Sequence, residues 1–357
     1  MPSKHPPNLT QVEIRNMQKF ICVLIMATVL GCGTAATNPS ASSPSTSTPA
    51  LNQTSDQTKQ SRSFKFTYAA ALTDLEPGTD VRVWLPIATS NHDQDVKLLT
   101  ELPENYERKQ SKSGNEIVYF ETQANNAGEV PVELVYEVTR REVSAQNYQA
   151  EGGAGTEFLA ASSMVPVDDT LRKNILAEGS LDVAAGAMDK ARRLYDAIET
   201  HMEYDKPLDR PGWGRGDAAW ACANGFGNCT DFHSLFISAA RNLQIPARFE
   251  IGFPIPAERG AGEVGGYHCW AKFLADGKWV PVDISEADKH PELKEYYFGN
   301  LTPDRVTFSV GRDLVLEPAP AAGPVNYLVY PYAEVDGKQH KKFRKAFRYE
   351  DLANAAE

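Results

Sequence analysis

The 357 residues are 42% hydrophobic and 23% charged, enough for a folded core and about two domains. A formal charge of −11 and a pI near 5.2 leave no broad basic surface, which excludes nucleic acid as a partner bound by phosphate neutralisation. One basic run, Lys338 to Arg348, reads as a solvated strand or loop face.

The first thirty-two residues follow another rule. Phe20 to Leu30 is an apolar run interrupted only by Thr28, preceded by Lys19 and followed by Gly31-Cys32. As a helix it rises only ~16 Å, short of the ~30 Å hydrocarbon core of a bilayer, so it reads as the apolar region of a secretory signal and not as a span. Val29-Leu30-Gly31-Cys32 resembles the bacterial lipobox, which makes residues 1–32 a lipoprotein signal peptide and Cys32 the lipidated start of the mature chain. Met17 makes a more typical first residue than Met1. Residues 33–61 are Ser, Thr, Pro, Asn and Gln with almost no large apolar side chain, a composition that cannot offset its ordering entropy. The expectation is a disordered tether that holds the folded part roughly 30 Å from a membrane. Together these segments place the protein in a bacterial cell envelope, lipid-anchored, on the periplasmic or extracellular face.

Residues 62–145 read as an all-β sandwich domain. Phe64–Tyr68, Val81–Leu85, Ile117–Phe120 and Val132–Val138 alternate, with turn signals at Glu76-Pro77-Gly78, Ser113-Gly114-Asn115 and Asn126-Ala127-Gly128. From Thr170 the pattern turns helical. Ala187, Ala191, Leu194, Ile198 and Met202 form one face of a helix expected over Leu181 to Met202. Residues 146–350, with strands at their C-terminal end, are expected to form a second, α+β domain.

Within it, Arg210 to Asn228 holds five glycines, two tryptophans and Cys222, a composition that marks irregular backbone near a cleft. Phe232, Leu235, Phe236, Ala239 and Leu243 then repeat at helical spacing, and Asp231 sits where a negative charge suits the helix dipole. Cys229 therefore opens a buried helix. Downstream, Tyr267–Leu274 and Trp279–Asp283 flank the turn Ala275-Asp276-Gly277-Lys278. A two-residue Asp276-Gly277 loop pairs residues whose numbers sum to 553, which sets His268 and Asp283 diagonally on one face and Cys269 on the other.

A thiol needs help to ionise near pH 7, and a helix N-terminus with an adjacent imidazolium supplies it. The imidazole in turn needs its second nitrogen held by a carboxylate. Cys229, His268 and Asp283 fill those three roles as nucleophile, base and orienting acid. The Cys229 N–H is a first oxyanion donor; Trp220, Asn224 and Asn228 are candidates for the second, and Trp270 is a further candidate for the cleft.

These residues resemble the transglutaminase-like superfamily. The resemblance rests on four ordered blocks: Gly227-Asn228-Cys229-Thr230-Asp231, Arg241 to Arg248 (RNLQIPAR), His268-Cys269-Trp270 and Trp279-Val280-Pro281-Val282-Asp283. Gln244 stands where the family has glycine. The resemblance implies a papain-like core, a nucleophile helix packed on an antiparallel sheet, here preceded by the β-sandwich. It also implies attack on an amide carbonyl of a protein or peptide through a thioester that water or an amine resolves, with no cofactor.

Two other readings stand beside this one. Cys229 and His233, four apart on one helix, could join Cys222, His268 and Cys269 in a structural zinc site, although no compact Cys-x-x-Cys pair is present; His233 reads better as a core residue, and no metal is assigned. The domain could also be a membrane-anchored peptide-holding module whose chemistry has lapsed, but an intact Cys, His and Asp favours the enzyme. With Cys229 kept free, Cys222 and Cys269 are left as a candidate disulfide, one that would pin the preceding loop from behind the thiolate.

Overall fold

A computed structural model describes residues 61–352 apart from 112, 154, 177–178, 180–184 and 208–209. The signal segment, Cys32 and the tether before Ser61 lie outside the described residues, as do positions 181–184 of the expected second-domain helix. The fold is α+β with mostly antiparallel sheets.

Six strands come first: β1 (Ser61–Leu72), β2 (Asp80–Ile87), β3 (Gln94–Leu98), β4 (Glu107–Gln110), β5 (Glu116–Gln123) and β6 (Val130–Arg141). Alternation drives them. Phe64, Phe66 and Tyr68 of β1 point inward and sit opposite Val138, Tyr136 and Leu134 of β6. The short strands β3 and β4 have polar or charged residues at most positions, so periodicity alone does not reveal them.

Next come α1 (Asp169–Ile175), α2 (Ala187–His201), β7 (Glu203–Tyr204), α3 (Ala218–Asn224), β8 (Phe226–Gly227) and α4 (Cys229–Asn242). Then follow β9 (Ala247–Pro254), β10 (Ala261–Val264), β11 (His268–Ala275), β12 (Lys278–Val282), α5 (Ile284–Lys289), β13 (Arg305–Val310), β14 (Tyr332–Val335), β15 (Lys338–His340) and β16 (Phe343–Asp351). A four-stranded sheet, β12-β11-β9-β13, carries α4 against it. Every residue of α4 except Asn242 is buried, a helix sheathed on all sides. Its buried polar groups are satisfied: Ser234 accepts from Arg312, Ser238 donates to Pro166 O, and Arg241 donates to Ala160 O and Ala247 O.

The C-terminal strands β14 to β16 lie in other sheets than this one. β16 pairs with β1 and β14 pairs with β2, giving five-stranded sheets of order β10-β16-β1-β6-β3 and β15-β14-β2-β5-β4. The reason is aromatic burial. Phe66, Tyr68 and Phe347 pack on Phe253 of β9 and Phe308 of β13, with centroids 4.5 to 6.4 Å apart, so one apolar core runs through both regions. Behind β11, buried Lys272 pairs with Asp93, which precedes β3, and with Glu250 of β9; Arg140 of β6 joins them.

Candidate active site

The site begins with the first turn of α4. Asn228 caps it: its Oδ1 accepts the Thr230 N–H at 2.9 Å, and the Asp231 carboxylate reaches back to the Asn228 N–H at 3.0 Å. Gly227 is required here, because a Cβ on it would fall 2.5 Å from Asp231 Cβ. The Asn228 side chain and carbonyl occupy the N–H groups of Thr230, Asp231 and Phe232. Among the described residues no acceptor meets the Cys229 N–H, so it remains a donor beside the sulfur at the positive end of the helix. Asp231 also accepts Gly214 N–H at 2.9 Å and Gly216 N–H at 3.0 Å, tying the glycine-rich loop to the helix start. Burial pushes its carboxyl up to about 6 against the pull of those N–H groups.

Facing α4, the β11–β12 hairpin has the expected register: Ala275 pairs with Lys278 and Ala271 with Val282 across an Asp276-Gly277 turn with both φ positive. His268 opens β11, and Asp283 follows β12 as the N-cap of α5. His268 Nε2 lies 2.8 Å from Asp283 Oδ2, and the ring stands near enough to the Cys229 thiol for each to shift the other's pKa. All three groups are buried. Arg305 of β13 donates to Asp283 Oδ2 at 3.1 Å, and Ser285 Oγ donates to Oδ1 at 3.3 Å.

Burial opposes every charge here, and the partners overrule it. His268 and Arg305 hold the Asp283 carboxyl well below the usual carboxylate range. Asp283, then Cys229, raise the imidazole to about 10. Hydrogen bonds from Cys269 and His268 hold the Cys229 thiol well below its ordinary 9.0. The favoured state is thiolate, imidazolium and carboxylate in a row.

His233 has a defined part. Its Nε2 accepts the Ile284 N–H at 3.1 Å, so Nδ1 carries the proton and donates to Cys229 O at 2.7 Å. The ring is neutral and joins the nucleophile turn to the start of α5; burial lowers its pKa. Both nitrogens are engaged, and Cys222 lies against Leu171 O at 3.9 Å, so the zinc alternative loses two donors. His268, Asp283 and Glu286 also cluster within 4.8 Å, but Arg305 puts a positive charge on the carboxylate a cation would need.

Other expected positions move. Trp270 is fully buried, its Nε1 donating to Glu250 at 2.8 Å and its ring under Arg305, so it supports the site from within and is no cleft wall. Asn224 is exposed on α3 and donates to Trp220 O one turn back, while Asn228 accepts the Thr230 N–H and donates to Tyr267, so each has one amide N–H engaged. Trp220 packs edge-on to Phe226 and against the backbone at Gly212. The Cys222–Cys269 bridge is not formed: all three described cysteines are free, and Cys269 reaches Cys229 itself. Facing away from His268 on the strand brings it under the nucleophile, because α4 starts on that side of β11.

Arg305, His233, Tyr267 and Arg312 carry no local motif and come from four separate segments. Tyr267 OH meets Thr230 Oγ1 at 2.9 Å and Asn228 Nδ2 at 3.1 Å. Arg312 grips the glycine loop at Gly216 O and α4 at Ser234.

Residues 176–284 match the family model of the transglutaminase-like superfamily. An uncharacterized protein of Haemophilus influenzae is 31% identical over 228 residues, 54% of this chain and 61% of that one, so the chain spans about three fifths of that relative. Two solved structures are similar. A candidate cysteine protease from Cytophaga hutchinsonii is 15% identical, covering 81% of this chain and 98% of its own at a TM-score of 0.49. The periplasmic domain of TgpA from Pseudomonas aeruginosa is also 15% identical, covering 66% and 90% at a TM-score of 0.30. Scores this low establish no shared fold by themselves. On the family match, this chain carries a transglutaminase-like domain within residues 176–284.

Proposed function

We propose that this protein is a lipid-anchored envelope cysteine enzyme that opens an amide bond of a protein or peptide through Cys229, His268 and Asp283. The observation that carries the reading is the buried line from the α4 N-terminus through His268 to Asp283. The thiolate attacks the carbonyl carbon, and the developing oxyanion takes the free Cys229 N–H. His268, already protonated, gives its proton to the departing amine as the C–N bond breaks, leaving a thioester. Water or an acceptor amine then attacks that carbonyl with His268 as base, and the sulfur leaves as thiolate. Asp283, held ionised by Arg305, keeps the ring turned and its charge matched.

A peptide library derived from an envelope proteome, incubated with the purified chain and read by mass spectrometry, tests this reading. Products that appear with wild type and vanish with Cys229→Ala support it, and their termini distinguish hydrolysis from amine transfer. Indistinguishable product spectra would favour the peptide-holding module. For the anchor, wild type should partition with membranes while Cys32→Ala is released or keeps its signal; a wholly soluble wild type removes the lipoprotein part.

A further inference from the structure

Cys269 transfers no proton and forms no bond in the amide chemistry, yet it stands close to the nucleophile and lowers its pKa. Its Sγ lies 3.7 Å from His233 Nδ1, the nitrogen that donates to Cys229 O at 2.7 Å, so one ring joins the two cysteines, and each thiol shifts the pKa of the other. Cys222 faces Leu171 on another side. An S–S bond needs the sulfurs at about 2 Å, and α4 packs directly on β11, so the two cysteines stand on adjoining elements. The pair is also asymmetric. Cys229, at the N-terminus of α4, keeps 3% of its surface exposed and Cys269 none, so an oxidant small enough to enter meets Cys229 first.

We propose that Cys269 is a resolving thiol: a hydroperoxide oxidises Cys229, and Cys269 closes onto it as a Cys229–Cys269 disulfide that reversibly blocks the nucleophile. The inference rests on the reading of Cys229 as the reactive thiolate. In the first step the thiolate attacks one peroxide oxygen, the O–O bond breaks, and Cys229 becomes a sulfenic acid. The departing hydroxide takes the His268 proton as water. In the second step the Cys269 sulfur attacks the Cys229 sulfur and the S–O bond breaks, so hydroxide leaves and combines with the Cys269 proton as a second water. Two thiols are oxidised by two electrons in all, and one peroxide is reduced by two. Without a resolving thiol, a sulfenic acid proceeds to sulfinic acid, which simple thiols do not reverse.

The test uses the purified full chain. The rate of Cys229 alkylation by iodoacetamide is measured first and checks the catalytic reading independently. The protein then receives a several-fold molar excess of hydrogen peroxide, since sulfenic and then sulfinic acid each consume one equivalent, free thiols are blocked, and the digest is mapped without reduction. The expected result is a Cys229–Cys269 joined peptide lighter by two hydrogens, with Cys229 alkylation lost and then fully restored by dithiothreitol. In Cys269→Ser the joined peptide disappears, and Cys229 accumulates as sulfinic acid that dithiothreitol does not rescue. The wild-type map needs no variant, so a folding defect in Cys269→Ser leaves the proposal testable. A rapidly alkylated Cys229 that overoxidises in wild type as readily as in the variant, or that pairs with Cys222, overturns it. Slow alkylation of Cys229 in untreated protein would instead overturn the catalytic reading.

Discussion

A free cysteine keeps its proton up to about pH 8.5, so the reactivity of Cys229 depends on what lies around one sulfur atom. His268 offers charge, Cys269 a hydrogen bond, and the first turn of α4 its N–H groups. Cys222 and Cys269 are pushed the other way, above the ordinary thiol value, by burial. Iodoacetamide labelling should therefore concentrate on Cys229 and stay fast well below pH 8.5. His268→Ala removes base and positive partner together, so its labelling midpoint should climb toward the free-thiol value and amide turnover should vanish. Asp283→Asn should disturb labelling less and turnover more, because the ring stays near sulfur but loses the partner that sets its tautomer. An unchanged labelling profile in His268→Ala would remove the imidazole from the site's chemistry.

Two elements set the geometry of the site, the α4 start and the loop before it, and Asp231 fastens one to the other. Its two oxygens accept three backbone N–H groups, from Gly214, Gly216 and Asn228. Asp231→Asn puts an NH2 group where an acceptor is needed, which should cost about 1–3 kcal/mol in unfolding free energy and lower turnover without altering the identities of Cys229, His268 or Asp283. Denaturant midpoints and kinetics of the same samples check both. At the other end of α4, Gln244 sits at φ 60, the left-handed region glycine occupies at little cost. Gln244→Gly should stabilise the protein by up to about 1 kcal/mol with activity unchanged, since the site lies at the opposite end of the helix. A loss of stability would show that the glutamine side chain outweighs its backbone strain.

For the whole molecule, shared burial makes the β sheets and the transglutaminase-like region one unit. Phe347, near the C-terminal end, lies among Phe66, Tyr68 and Phe253, and β16 stands between β10 and β1. Truncation after Lys342 should therefore abolish folding and leave no active fragment, and the intact protein should unfold in one transition that takes Cys229 reactivity with it. The charges at the site make a second global prediction. The folded imidazole, raised from 6.5 to about 10, holds a proton the unfolded chain has lost, so its stabilising effect is full below pH 6.5 and fades as pH rises toward 10. The Cys229 thiol is lowered, so its effect is full above its ordinary 9.0 and fades as pH falls. Between about 6.5 and 9.0 the two slopes oppose each other, because folding only moves one proton from sulfur to nitrogen. Wild-type stability should be flat across that window. In Cys229→Ala only the imidazole slope remains, and stability should fall as pH rises above 6.5; equal profiles for the two proteins would exclude the ion pair.

Local chemistry was legible in the sequence wherever one segment contains its own cause. The capped start of α4, the Asp276-Gly277 turn with pairs summing to 553, and the alternation of β1, β2, β5 and β6 each depend on residues a few positions apart. His268 and Asp283 could be paired because a two-residue turn fixes register, and Cys229 joined them through the spacing of its helix. What stayed hidden depends on contacts between distant segments. Arg305 reaches Asp283 from β13, His233 acts on α5 across the core, and Trp270 turns inward because Arg305 and Glu250 receive it. Likewise, Cys269 meets Cys229 and not Cys222 because α4 packs on the face of β11 away from His268. The C-terminal strands return to β1 and β2 for the same kind of reason. A strand's own residues set which face is apolar, but the sheet it joins depends on which exposed edge and aromatic face the rest of the chain leaves for it.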